Sequence, residues 1–438
     1  FPKERVRRTS SRPARPGDAE VRTFPAGTAP VAQADFLEHC RICTRDLRDA
    51  LATLYRETKA DISRPQEVSR QFKLNKNLTW KIAKVFQTTD PVEAVPLIPG
   101  AEGMEILLTA MSNGGARAET VNTVRERLQD FERMVETHVG DRATLELLMD
   151  GLSRGGKALE LSRKLAFRGN SGIWGVQARV RSMLQVLAPN AEDPSMLDLA
   201  TAGGLYDVRR LRPVQGWPIF RFHGYGHGGT ALKRRSKQTM PLEEPSRPGE
   251  PFLVMRSFCD PPDAEIRSTE SDVDVCHELV DGPIGRMGEV TFVFGVLERA
   301  VFPRYAQGSS ADEEYGEMSA VVTMPVEAVH IDVLVHRSMA EDFKPELIVY
   351  GRPFGTPGLD HATRENFRLP IEEPVVRLDT SRDRFQSELL PDQARLVDHV
   401  MARAGWTSQD FIGFRAVVTF PPMPSTVMMR YEIGRAHV

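Results

Sequence analysis

"IWGVQARVRSMLQVLAP", residues 173–189, decides where one half of this 438-residue chain stops and the other starts. Val176, Val180 and Leu184 recur at every fourth position, the spacing of one helix face. A helix over 173–187 is therefore expected, with Asn170 or Ser171 as N-cap and Pro189 closing it. That reading ends a helical domain at about 205 and leaves 210–431 to follow other rules.

Upstream, Phe36, Cys40, Cys43, Leu47, Leu51 and Leu54 advance by threes and fours, one apolar stripe of an amphipathic helix. The stripe makes Cys40 and Cys43 small buried thiols rather than half of a zinc site, because no second CxxC follows. A second helix carries Val121, Val124, Leu128, Phe131 and Val135 after the Asn113-Gly114-Gly115 break. That face serves either a dimer seam or an intramolecular bundle. "DRATLELLMDGL" continues helically toward Gly155-Gly156.

Downstream the pattern changes. "PFLVMRSF", "EVTFVFGVL", "AVVTMPV", "VHIDVLVH", "ELIVYG" and "RAVVTF" are short β-branched and aromatic runs separated by Pro, Gly and Asp. A helix over 393–404 interrupts them, with Leu396, Val397, Val400 and Met401 on its apolar side. The expected fold class is α+β, an N-terminal all-α domain followed by a domain rich in antiparallel strands. Loops are expected at 235–251 and 307–317. Residues 1–32, rich in Arg, Pro and Ser, are expected to be a disordered basic arm. The chain starts at Phe1, so its beginning is read as incomplete or as using an alternative codon. "EIGRAHV" at 432–438 reads as a translated sequencing adapter, a tail foreign to the protein.

Composition excludes several classes. Hydrophobic residues at 41% and charged residues at 27% fit an ordinary soluble chain. A net charge of −3 means that any nucleic-acid affinity must come from a local patch. No apolar run reaches the roughly 18–20 residues of a membrane span, and the four cysteines suit a reducing cytoplasm.

One such patch exists in "RQFKLNKNLTWKIAKVF", residues 70–86. Pro65 suits the first turn of a short helix whose apolar face is Val68 and Phe72. A tight turn follows, and Asn77 or Asn75 can cap a second helix running to Phe86. Leu74, Leu78, Ile82 and Val85 then face the core. Asn75, Lys76, Asn77, Trp80, Lys81 and Lys84 point outward, and no carboxylate stands between Glu67 and Asp90. Over 65–86 this layout resembles the helix-turn-helix of bacterial transcriptional regulators. Ser69 stands at that family's small-residue position and Lys73 where it commonly carries Gly. The resemblance implies double-stranded DNA as partner and a homodimer on paired half-sites. Lys76, Asn77 and Lys81 would read bases, with Asn75 and Trp80 beside them; Arg70, Lys73 and Lys84 would hold phosphates. The C-terminal domain would sense a small-molecule effector or hold the assembly together.

Other constellations carry less. The glycine-rich 212–238 stretch holds Arg221, Lys233, Arg234, Arg235 and Lys237, a possible phosphate contact or a plain hairpin loop. On "VHIDVLVH", His330, Asp332, Leu334 and His336 share one strand face, but His330 and His336 lie about 20 Å apart when extended, too far to share a metal. Walker A, GxSxG and HExxH motifs are absent, and "CHEL" at 276–279 lacks a second histidine. No cofactor or metal is expected. The rival functions are an enzyme with its site around Asp332 and an all-α docking module.

Overall fold

A computed structural model describes residues 29–152, 156–214, 216–223, 239–245, 253–270, 274–305, 315–341, 343–353, 361–378 and 385–433. The chain divides into two units, Phe1–Gly156 and Lys157–Val438.

The first unit is helical. Its described elements are α1 (Ala29–Glu57), α2 (Pro65–Gln71), α3 (Lys76–Gln87), α4 (Pro91–Ala94) with a single 3-10 turn, α5 (Ala101–Asn113), α6 (Ala118–His138) and α7 (Arg142–Leu152). The stripe on α1 is buried from Phe36 to Leu54 and packs along α6, where Val121, Val124, Leu128, Phe131 and Val135 are buried as well. That face of α6 is therefore occupied within the bundle and leaves no dimer seam there. Cys40 and Cys43 are free and buried, and burial pushes the Cys40 thiol up to about 12. The expected arm lies outside the described residues up to position 28, and its last four residues belong to α1.

The second unit opens with α8 (Gly156–Trp174), followed by Gly175 at φ +73° and then β1 (Val176–Pro189). This corrects the helix expected over 173–187. Every fourth position is also every second position, so Val176, Val180 and Leu184 satisfy a strand as well as a helix. Ala178, Ser182 and Val186 decide between them: all three are buried on β1, as strand alternation requires. Asn170 and Ser171 lie inside α8 and cap nothing. The helical half therefore ends at Trp174, well before 205.

The remaining elements are β2 (Met196–Arg210), β3 (Trp217–His223), β4 (Thr239–Pro241), β5 (Ile266–Glu270), β6 (Asp274–Leu279), β7 (Val290–Pro303), β8 (Tyr315–Val322), β9 (Val326–His336), β10 (Glu346–Tyr350), α9 (His361–Glu365), β11 (Val376–Arg377), α10 (Gln393–Ala404), β12 (Phe411–Thr419) and β13 (Ser425–Glu432). A seven-stranded sheet runs β11-β12-β9-β1-β2-β7-β4, parallel only where β1 meets β9. Two three-stranded sheets, β10-β13-β8 and β3-β6-β5, share a core with one of its faces, and α10 packs on the other. The fold is α+β. "PFLVMRSF" is no strand: Val254 makes one bridge to Phe294, and Arg256–Phe258 is a 3-10 turn. β13 runs through Glu432, paired with Tyr315, so the first residue of the expected foreign tail extends a strand; 434–438 lie outside the described residues. Among the described residues no single helix is long and apolar enough to cross a membrane.

On β9, Val329, Ile331, Val333 and Val335 enter the core shared with the smaller sheets. His330, Asp332 and Leu334 point toward α10, where Asp332 is completely buried. The Nε and Nη2 of Arg415, opposite it on β12, donate to the two Asp332 oxygens at 2.7 and 2.8 Å. Gln393, the first residue of α10, donates to Asp332 at 2.8 Å. This pair fastens α10 to the sheet. Removing one partner leaves a buried charge unmatched, so Arg415→Met is expected to cost about 3–5 kcal/mol in the unfolding of this unit. Urea denaturation monitored by circular dichroism measures it.

Candidate nucleic-acid interface

The stretch 65–87 folds as two short helices joined by a turn. Pro65 occupies the first turn of α2, where its missing N–H leaves no orphan. The turn is closed by Ser69, whose backbone carbonyl accepts from Leu74 N at 3.0 Å while its Oγ donates to the Leu74 carbonyl at 2.7 Å. A larger residue at 69, itself buried, would separate the two helices. Lys73 takes φ +55°, the left-handed conformation that glycine adopts most cheaply. The conformation is thus kept although the glycine is not.

Asn75 is the cap of α3: its Oδ1 accepts from Asn77 N at 2.8 Å. The Asn75 side-chain oxygen is therefore committed to the helix, whereas Asn77 points out. Ile82 and Val85 are fully buried, Leu74 nearly so, and Leu78 packs at the edge of the same core. Phe72 lies against Gly114 at the end of α5, where any Cβ would collide with its ring. At the far end, Arg48 of α1 donates to the Thr88 carbonyl at 2.7 Å, placing a cation at the negative end of the α3 dipole. Both ends of α3 are anchored to the bundle.

The outward face is cationic. Arg70, Lys73, Asn75, Lys76, Asn77, Trp80, Lys81 and Lys84 are all exposed. Among the described residues none of these five cations has an ion-pair partner; most other exposed arginines of this unit do, Arg64, Arg117, Arg125 and Arg133 among them. Trp80 keeps 49% of its surface exposed, so it does not pack into a neighbouring helix, and the Lys84 ammonium lies 5.5 Å from its ring centre. Asn77, Trp80, Lys81 and Lys84 follow at steps of three and four along one helix face. Such a face, with phosphate-seeking charge at its margins and amide and ammonium donors at its N-terminal end, has the chemistry of major-groove contact.

The other sequence candidates belong to the second unit. Arg221 is exposed on β3, and Lys233, Arg234, Arg235 and Lys237 lie outside the described residues. His330 approaches Ser387 Oγ at 3.1 Å through Nε2, and its Nδ1 stands 3.8 Å from Asp332. The order serine, histidine, carboxylate suggests a nucleophile relay, but Asp332 is already held at both oxygens by Arg415, and His330 Nδ1 has no hydrogen-bond partner. Burial pushes the imidazole below its ordinary range, so it stands neutral. Sequence reading missed Arg415, Gln393 and Ser387, which are 83, 61 and 57 residues from their partners and become neighbours only through strand pairing. His336 accepts from Ser338 N at a 3-10 turn, away from His330. Among the described residues no three His, Cys, Asp or Glu side chains group to hold a metal.

Comparison with protein-family models, with curated proteins and with solved structures finds no match for this chain. The geometry alone therefore carries the functional reading. Two substitutions test that geometry. Lys73→Gly is expected to stabilise the helical unit by about 1 kcal/mol by relieving the left-handed side chain. Asn75→Ala is expected to cost about 1 kcal/mol through the lost cap. Thermal unfolding followed by circular dichroism distinguishes the two signs.

Proposed function

We propose that this chain binds double-stranded DNA through α3 and the turn before it, and regulates transcription by occupying an operator. In this reading Lys76, Asn77 and Lys81 reach base edges, Trp80 flanks them, and Arg70, Lys73 and Lys84 neutralise phosphates. Asn75 acts first as a cap. The observation that carries the reading is the exposed, carboxylate-free cationic face of a helix whose both ends are fixed. A solvated helix face of ordinary kind usually carries mixed charge and intrahelical pairs. This one has neither.

The protein would act in the cytoplasm as a homodimer, because one helix reads too few base pairs and paired half-sites a helical turn apart supply the rest. The second unit would sense a small-molecule effector or hold the dimer together. The rival reading as an enzyme gains support if Lys76 and Lys81 are buried or paired; both are exposed and without a carboxylate among the described residues.

The test is fluorescence anisotropy with a mixed-sequence duplex at low salt, comparing wild type with Lys76→Glu/Lys81→Glu/Lys84→Glu. The variant is expected to keep its helical circular dichroism and to bind at least about a hundredfold more weakly, since two base contacts and one phosphate contact become repulsions. Equal binding by the two proteins, or none by either, removes the proposal.

A further inference from the structure

A cavity of about 320 Å³ lies between β11, the edge strand of the large sheet, and the chain that runs from β9 to β10. Its floor is apolar. Phe343 and Phe414 are buried there with ring centres 5.1 Å apart, and half-buried Ala340, Pro345 and Val375 line the walls. The volume stands at the lower end of the roughly 300–1,000 Å³ of small-molecule sites, room for one ring and a short side arm.

Register explains how a cation reaches this apolar hollow. Arg377 pairs with Phe414 on β12, and residues directly opposite in an antiparallel pair project to the same face. Phe414 belongs to the core shared with the smaller sheets, so Arg377 stands on the inner face of its strand, at the mouth of the cavity. Arg415, next along β12, projects to the other face and takes Asp332. Lys344 brings a second cation from the segment after Phe343, and Glu341 is the one carboxylate of the lining. All three side chains are exposed, and among the described residues neither cation has an ion-pair partner. A cation on the inner face of an edge strand also guards against strand addition. That role needs neither a cavity nor a second cation beside it.

We propose that this cavity is the effector site of the second unit and takes an aromatic monocarboxylic acid, its ring against Phe343 and Phe414 and its carboxylate between Arg377 and Lys344. The inference rests on the reading of the second unit as a sensing domain and names its ligand class. A flat ring meets the two mutually tilted phenylalanine rings in edge contact, which adds to the gain from burial. Two cations and one carboxylate leave the mouth with a single positive charge, which matches a monoanion and not a phosphate dianion. The Arg377 guanidinium offers parallel N–H bonds to both carboxylate oxygens, and the Lys344 ammonium adds a point charge.

The test is isothermal titration of the full chain, without DNA, using sodium phenylacetate as the probe. Sodium acetate carries the anion without the ring, and phenylacetamide the ring without the charge. Wild type is expected to bind phenylacetate saturably at one site per chain and each control at least about tenfold more weakly, a change of about 1.4 kcal/mol. Arg377→Gln is expected to keep its circular dichroism and to weaken phenylacetate by a similar factor, with Lys344→Gln in the same direction. Arg286→Gln, at an exposed arginine elsewhere in this unit, is expected to change nothing. Wild type silent toward phenylacetate overturns the proposal and leaves Arg377 as a guard of the edge, as does affinity unchanged in Arg377→Gln. Acetate bound as tightly as phenylacetate overturns the part given to the rings, and phenylacetamide bound as tightly overturns the part given to the cations. Because no DNA is present, none of these outcomes depends on the interface of α3.

Discussion

β1 has a neighbour on each side, β9 in parallel and β2 antiparallel, and nearly all of its even-numbered side chains are buried. A backbone that far from water must pair its N–H and C=O groups along both edges. That requirement organises the second unit. β9 and β1 are 148 positions apart at the Leu184–Asp332 pair, and all the strands from β2 to β8 lie between them in sequence before β9 returns to pair with β1. The hairpin β1–β2 is local, but the parallel pairing closes a long loop, which makes this unit the slower one to assemble. Asp332 sits one strand away from β1 and Arg415 two, and their charge pair holds the helix that covers this face.

The same strand explains what the sequence did and did not disclose. α10 was legible to the residue, because Leu396, Val397, Val400 and Met401 stand at steps that only a helix brings together. β7, β9, β10 and β12 were legible as β-branched runs. β1 was not, since its Val176, Val180 and Leu184 obey two periods at once and the small residues Ala178 and Ser182 do not read as core in isolation. A residue such as Ser182 is recognised as interior only when the strand that covers it is known.

The helix pair at 65–87 shows the opposite case. Its apolar positions, its proline start and its outward cations were all readable, and the structure places each of those side chains on the expected side. Lys73 in place of glycine weakened the sequence pattern, yet the backbone adopts the left-handed turn regardless. What holds it is the Ser69–Leu74 closure together with Phe72 seated against Gly114, contacts that involve another helix and leave no local signature. The choice between Asn75 and Asn77 as cap was also beyond the sequence; the 2.8 Å bond from Asn77 N settles it for Asn75 and frees Asn77.

The proposed function rests on the first unit, where the exposed cationic face of α3 is mounted on a helical bundle. The central claim is that the cations of α3 and its turn meet phosphates. The measurement that addresses it most directly is the slope of log affinity against log salt for duplex DNA, in wild type and in Lys84→Gln. Phosphate contacts by Arg70, Lys73 and Lys84 predict a slope of roughly 2.7 per copy of α3 and a loss of about 0.9 in the variant. A slope near zero, or one that Lys84→Gln leaves unchanged along with Arg70→Gln and Lys73→Gln, would contradict it.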